Sequence, residues 1–239
     1  MTDVSDNAAR MLPPVLFRTP RRRRASMHLE LIHAGDQDRP ALEAFVRQVF
    51  ARVYGARVSQ FMPRLIGLRS AQGRLVAALG LRDAGSGPLF LEQYLDAPVE
   101  HLLEVRTGRV VDRAGIMELG NLAAEHPGSA RRLIMNLALC LHNAGFAWVV
   151  FTITPSLVNS FRRLDLDLIC LGPARRERLC PKAQAEWGRY YDSGPMVYGA
   201  HIPGGLPRIQ ALLQPGARVL EDGPQPQPES GSGVLALAG

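Results

Sequence analysis

Aromatic side chains make up only 6% of this 239-residue chain, so its interior has to be packed mainly by aliphatic residues. Cysteine is scarce as well. Cys140, Cys170 and Cys180 are odd in number, widely spaced and without a C-x-x-C pair, which excludes both a disulfide framework and a zinc site. Cys140 and Cys170 lie in apolar runs and read as small core residues; a reducing, cytoplasmic compartment fits. No apolar run approaches the roughly 18 residues that span a bilayer. The basic N-terminus is not followed by the apolar stretch of a secretory signal. Internal repeats are absent. Two nucleotide signatures are missing around Gly128: no Gly-Lys-Ser/Thr follows it, and the three-glycine spacing of a dinucleotide fold is not there.

A hydrophobic content of 46% suffices for a core, and the length suits one domain with tails. The net charge of +6 comes from 28 basic and 22 acidic side chains. Six of the arginines (Arg10, Arg18, Arg21, Arg22, Arg23 and Arg24) fall in an acid-free stretch at residues 10–24. Without them the two signs balance, so the fold itself gives no net-charge sign of a nucleic-acid face. The arm either touches anionic lipid, phosphate or nucleic acid at a peripheral surface, or is a solvated tail. The expected organisation is a disordered Arg-rich arm at 1–26, a domain at 27–213 and a flexible Pro/Gly-rich tail at 214–239.

Periodicity predicts a strand at 29–33, then a helix to about Tyr54, capped by Asp36 or Asp38, with Leu42, Phe45, Val46, Val49 and Val53 on one stripe. Strands at 64–69 and 75–82 form a hairpin. Residues 89–95 are extended or a short turn, and a helix begins at Pro98. A central strand at 115–124 leads through a turn to a helix capped by Ser129 and closed by Gly145. A buried strand follows to Ile153, then a helix from Pro155, a strand at 166–171, a helix near 181–190 and a strand at 197–202. The fold class is α/β: a mixed sheet of about six or seven strands flanked by helices.

The turn between strand 115–124 and the next helix carries the chemistry. A helix N-terminus offers unpaired N–H groups and positive potential, where cations are ordinarily unfavourable. Yet Arg131 and Arg132 stand in its first turn. Two arginines beside Gly128 and Ser129 suit a diphosphate; otherwise they are plain surface residues. Glu118 stands in an apolar strand. Burial raises a carboxylate's pKa and suits a general base; the other reading is a structural ion pair. If the strand is regular, Asn121 faces away from Glu118, unless Gly120 marks a bulge. His126 is either an acid–base group near neutral pH or a surface residue. Tyr191, beside Tyr190 and Asp192, is either a proton donor or a packed anchor.

The order of elements and the strand–turn–helix unit resemble the GNAT superfamily. There the fourth strand and following turn hold the pantetheine and diphosphate of an acyl-thioester donor. The family pattern, Arg/Gln-x-x-Gly-x-Gly/Ala, is met in part by Glu125-His126-Pro127-Gly128-Ser129-Ala130, with Glu125 where Arg or Gln is usual. The resemblance implies donor binding by Gly128, Ser129, Ala130, Arg131 and Arg132. It implies a pantetheine contact at Asn159, early in the helix after the fifth strand. Phe161 occupies the place of the tyrosine that protonates the leaving thiolate, a role phenylalanine cannot fill.

Closer still, Met117-Glu118-Leu119-Gly120-Asn121-Leu122, Trp148 to Thr152 with Asn159 and Phe161, and Trp187-Gly188-Arg189-Tyr190-Tyr191-Asp192 leading to Pro195-x-Val197 resemble the thermostable hemolysin family. That family is related to GNAT enzymes and acyl-homoserine lactone synthases. The resemblance implies N-acyl transfer from acyl-CoA or acyl carrier protein to a small amine, with the thioester as co-substrate and no tightly bound cofactor or metal. Glu118 would be the base, with backbone N–H groups at Leu122 or Ala123 on the oxyanion. The product would be membrane-active; a signal synthase is a special case. The alternative is a non-catalytic, membrane-active hemolysin-like protein.

Overall fold

The computed structural model describes residues 28–32, 36–162, 166–213 and 235–237. The Arg-rich arm lies outside the described residues. One mixed sheet organises the chain, in the order β1-β2-β3-β4-β5-β7-β6. Its strands are β1 (His28–Ile32), β2 (Arg64–Arg69), β3 (Leu75–Asp83), β4 (Ile116–Ala124), β5 (Trp148–Ile153), β6 (Ile169–Pro173) and β7 (Met196–His201). β1 to β4 are antiparallel neighbours, β4 and β5 are parallel, and β7 runs antiparallel between β5 and β6.

Two apolar cores lie on the two faces. On one, α1 (Arg39–Tyr54) presents Leu42, Val46, Val49 and Phe50 to the sheet, with α2 (Val99–Thr107), Trp187 and Tyr190 beside it. On the other lie α3 (Pro127–Asn143), α4 (Pro155–Arg162) and α6 (Ile202–Leu213). Each large aliphatic side chain so enclosed contributes about 1.5–3 kcal/mol. A short α5 (Pro181–Glu186) completes the helices.

The mixed α/β domain follows the sequence reading, with local differences: the helix read near 181–190 ends at Glu186, the strand read at 166–171 lies at Ile169–Pro173, and four others bear on the site or the termini. Asp38 is the N-cap of α1, but its side chain makes no capping hydrogen bond. α3 begins at Pro127 with His126 as N-cap, so Ser129 sits inside the first turn; its N–H donates to the His126 carbonyl at 3.1 Å. Proline is well placed at that start because it lacks the N–H a first helical residue leaves unpaired. α6 was hidden by its Pro203-Gly204-Gly205 start and by Pro207, which lies inside the helix. Finally, β8 (Leu235–Leu237) lies within the stretch read as a tail and pairs antiparallel with β4.

Candidate active site

β4 does not stay beside β5. The parallel pairing covers only Ile116–Leu119 against Trp148–Phe151. β4 continues to Ala124 and β5 to Ile153, so the strands part into a fork. The cause is local. Ala78 pairs with Ala123 and Gly80 with Gly120, which leaves one extra residue on β4, a bulge. Asn121 takes the strain at φ 49°, the one described non-glycine residue with positive φ. Asparagine tolerates this region better than most side chains. Gly80 makes room opposite: a Cβ there would lie 2.5 Å from the Met62 Cβ and 3.1 Å from the Asn121 Oδ1.

The bulge overturns the regular-strand expectation for Asn121. Its Oδ1 accepts from the Met62 N–H at 2.8 Å, and Met62 belongs to the α1-side core. Glu118 addresses the same side, because its carboxylate accepts from Phe90 N–H at 2.9 Å and Leu91 N–H at 2.8 Å, and Leu91 packs in that core. Asn121 and Thr152 are both buried. The Asn121 Nδ2 and the Thr152 Oγ1 have no hydrogen-bond partner among the described residues. Thr152 follows the last paired residue of β5, as Gly120 and Asn121 follow that of β4. Two unpaired buried polar atoms are thus set where the strands divide. Left so, each costs about 1–3 kcal/mol, which a ligand at the fork would relieve.

Glu118 is fully buried. Burial pushes its carboxyl up to about 7, against the two N–H groups and the more distant Arg82 guanidinium, 3.9 Å away. The amides are held in place by a clamp. Glu92 accepts from Leu89 and Val99 N–H. Arg113 grips Glu92 at 2.7 and 2.9 Å and also bonds Glu100 and the carbonyls of Ala84 and Gly87. Burial pushes Glu92 up, but the Arg113 and N–H bonds outweigh it and hold the carboxylate below its ordinary range.

Tyr191 lies in an aromatic cluster on the same side. Its hydroxyl is 2.5 Å from that of Tyr94. Burial raises Tyr191 to about 12. It raises Tyr94 too, with Tyr191, Tyr190 and the Glu118 charge adding to the effect. Both are neutral phenols at ordinary pH. Tyr190 donates to the Thr152 carbonyl at 3.2 Å, and Trp187 packs against Phe90, Tyr190 and Tyr191. Tyr94 has no signal in the sequence because residues 89–95 carry no period; the structure has a 3₁₀ turn at Leu91–Tyr94.

The other expected residues sit at the far end of β4. The six steps from Glu118 to Ala124 carry the strand roughly 20 Å, so His126 is not brought to Glu118. His126 and Gly128 are exposed, Arg131 is half-buried and Arg132 exposed, while Ser129 and Ala130 are buried. Nothing lies within 4 Å of a Cβ placed on Gly128, so the start of α3 is open. Glu125 is held by Arg74 at 2.6 Å. Asn159 is exposed on α4, and Phe161 is buried, stacked on Phe151 at 5.6 Å. Leu122 and Ala123 lie beyond the β5 pairing, and their register partners are Leu237 and Ala236. A largely apolar cavity of about 400 Å³ lies on the other face, lined in part by Leu119, Ile134, Phe151 and Phe161. Among the described residues no group of His, Cys, Asp and Glu is placed to hold a metal, and no helix is long and apolar enough to cross a membrane.

A family model described as "Thermostable hemolysin" matches residues 32–206. No curated protein sequence matches the chain. Among solved structures it is similar to FeeM, an N-acyl amino acid synthase from uncultured soil microbes. The TM-score is 0.54 at 15% identity, over 76% of this chain and 93% of that one. It is also similar to BjaI, a CoA-dependent acyl-homoserine lactone synthase solved with MTA, with TM-score 0.53 at 16% identity over 84% and 95% of the chains. A third, the AHL synthase LasI, gives 0.50 at 16% identity over 74% and 91%. At these identities the likeness is one of fold.

Proposed function

Because this chain belongs to the thermostable hemolysin family, and its β4 and β5 part around buried, unpaired polar atoms, we propose that it is an acyltransferase. It moves an acyl group from a thioester, on coenzyme A or acyl carrier protein, to a small amine. The observation that carries this reading is the fork, with Glu118 on one of its strands and the open start of α3 at its mouth.

In this reading the donor's diphosphate lies at the start of α3, beside Gly128, Ser129, Ala130, Arg131 and Arg132, where N–H groups and guanidinium groups meet it. His126, at the N-cap, and Asn159 border its path. The pantetheine arm runs back along β4 past Ala123 and Leu122. The thioester carbonyl reaches the fork, where the Asn121 Nδ2 and Thr152 Oγ1 supply donors for the developing oxyanion. The amine nitrogen attacks the carbonyl carbon, a C–N bond forms and the C–S bond breaks. The proton lost by the amine goes to the Glu118 carboxylate, directly or through one water. The departing thiolate takes a proton from Tyr191, which its hydroxyl contact with Tyr94 orients, and the proton held by Glu118 then returns through solvent to the Tyr191 phenolate, so that both groups regain their starting states. The membrane activity behind the family's name is then the work of an acylated product.

Since Glu118 must be ionised to accept the proton, kcat/KM should rise as pH passes through about 7 and level above it. A profile flat from pH 5 to about 9 would remove Glu118 from the mechanism. The reaction itself is tested by thiol release from short-, medium- and long-chain acyl-CoA and acyl carrier protein, with and without a panel of amines. Amine-dependent release is expected. Failure of every thioester either to release thiol or to raise the melting temperature would end the acyltransferase reading.

A further inference from the structure

The fork is not vacant. Past its bulge, β4 no longer has β5 as a neighbour, and Leu235–Leu237 takes that side. Leu122 faces Leu237, Ala123 faces Ala236 and Ala124 faces Leu235, antiparallel. These are the β4 residues along which the donor arm was placed. The sequence marks the same segment: after the polar run Gln225 to Ser232, an apolar island, Val234-Leu235-Ala236-Leu237-Ala238, interrupts a tail otherwise rich in Pro, Gln, Gly and Ser.

We propose that the segment Leu235–Leu237 is an intramolecular occupant of the donor cleft, a strand that the thioester arm must displace before it can bind. The inference rests on the acyltransferase reading and adds a control to it. A pantetheine arm is an extended chain carrying secondary amides, and a β-strand presents the same N–H and C=O groups to the same edge. The two are mutually exclusive along Leu122–Ala124. Because the segment is tethered, it acts at an effective concentration on the order of millimolar, so a weak intrinsic affinity suffices to fill the site. Its shortness, three residues in the ladder, keeps it displaceable, since so short a pairing is marginal by itself. If the strand is docked nine-tenths of the time, the apparent donor affinity falls about tenfold, by the fraction of open molecules.

The test keeps the full chain. Ala236 and Leu237 are replaced together by proline. Successive N–H groups point to opposite sides of a strand, so one of the two donates towards β4, and proline removes both. Octanoyl-CoA and octanoyl-carrier protein are titrated against parent and variant by calorimetry. The variant is expected to bind at least about tenfold more tightly. A synthetic peptide of residues 230–239, added in trans, should weaken that binding again. Equal affinity of parent and variant, with measurable binding in both, would overturn the inference and leave the acyltransferase reading standing. Lower thermal stability with unchanged affinity would make the strand a structural plug only, and would overturn it too. If neither octanoyl thioester binds either protein, short- and long-chain acyl-CoA and acyl carrier protein are titrated in the same way, and failure of all of them would sink the acyltransferase reading, and this inference with it.

Discussion

Glu118→Gln should lower kcat by about 10²–10⁴-fold, the usual worth of a positioned general base, and should abolish the rise in rate through about pH 7. The fold should survive. Glutamine has the same shape, and its Oε1 accepts from one of the two amides that now bind the carboxylate. Its NH₂ then faces the other donor, a mismatch of about 1–3 kcal/mol. Against that, the variant no longer buries a charge. The native carboxyl holds its proton up to about 7, against an ordinary value of 4.5. Below 4.5 it is protonated in both native and unfolded states. Between 4.5 and 7 the native state binds more protons than the unfolded chain, so stability falls as pH rises across that window, by on the order of 3 kcal/mol. Melting curves at pH 4.5 and 8 should therefore differ more for the parent than for the variant. A kcat within roughly threefold of the parent at pH 8, too small a change for a lost base, would leave Glu118 as a structural residue.

Gly188→Ala should destabilise the protein by about 2–6 kcal/mol, since two penalties of 1–3 kcal/mol act together. Gly188 has φ +52°, and a Cβ on it would run into the Tyr54 carbonyl oxygen and lie 2.8 Å from the Gly55 carbonyl carbon. This is backbone against backbone at the end of α1, and no rotamer change relieves it. The neighbouring Arg189 N–H donates to the Tyr54 carbonyl at 2.8 Å, and Arg57 N–H to the Glu186 carbonyl. That junction anchors the turn carrying Tyr190 and Tyr191. For a chain of this length the melting temperature should drop by at least about 5 °C. Any thioester turnover that remains should fall as well, because Tyr191 loses its register with Tyr94. A variant melting with the parent would show that this junction is not rigid.

The folded architecture was largely legible because its signals are periodic. The apolar stripe of α1, the hairpin of β2 and β3 and the continuous apolar run of β5 each declare a helix or strand without reference to the rest of the chain. What was not legible depended on partners distant in sequence. Asn121 looked like a residue facing away from Glu118. Only the register of β3 against β4, with Gly80 leaving space, shows the extra residue that turns it round. Tyr94 carried no signal because a 3₁₀ turn has no lasting period; its importance lies in meeting a hydroxyl 97 residues away. Ser129 reads as a cap because Ser is a good one, but Pro127 starts the helix earlier. Composition identified a tail, and composition cannot say that three of its residues pair with β4.

The packing around Trp187 makes the protein its own optical reporter. There are two tryptophans in the chain. Trp148 lies by His201 at 4.8 Å, whereas Trp187 touches Phe90, Tyr190 and Tyr191; of these, Phe90 donates its N–H to Glu118 and Tyr191 meets the Tyr94 hydroxyl. With Trp148→Phe in the background, emission comes from the indole beside the aromatic cluster alone. Octanoyl-CoA added to that protein should change the intensity or wavelength of the light at a concentration matching its calorimetric affinity. If that change is seen, occupancy of the proposed cleft would be read in real time, without a label, and displacement of the Leu235–Leu237 strand followed by stopped flow.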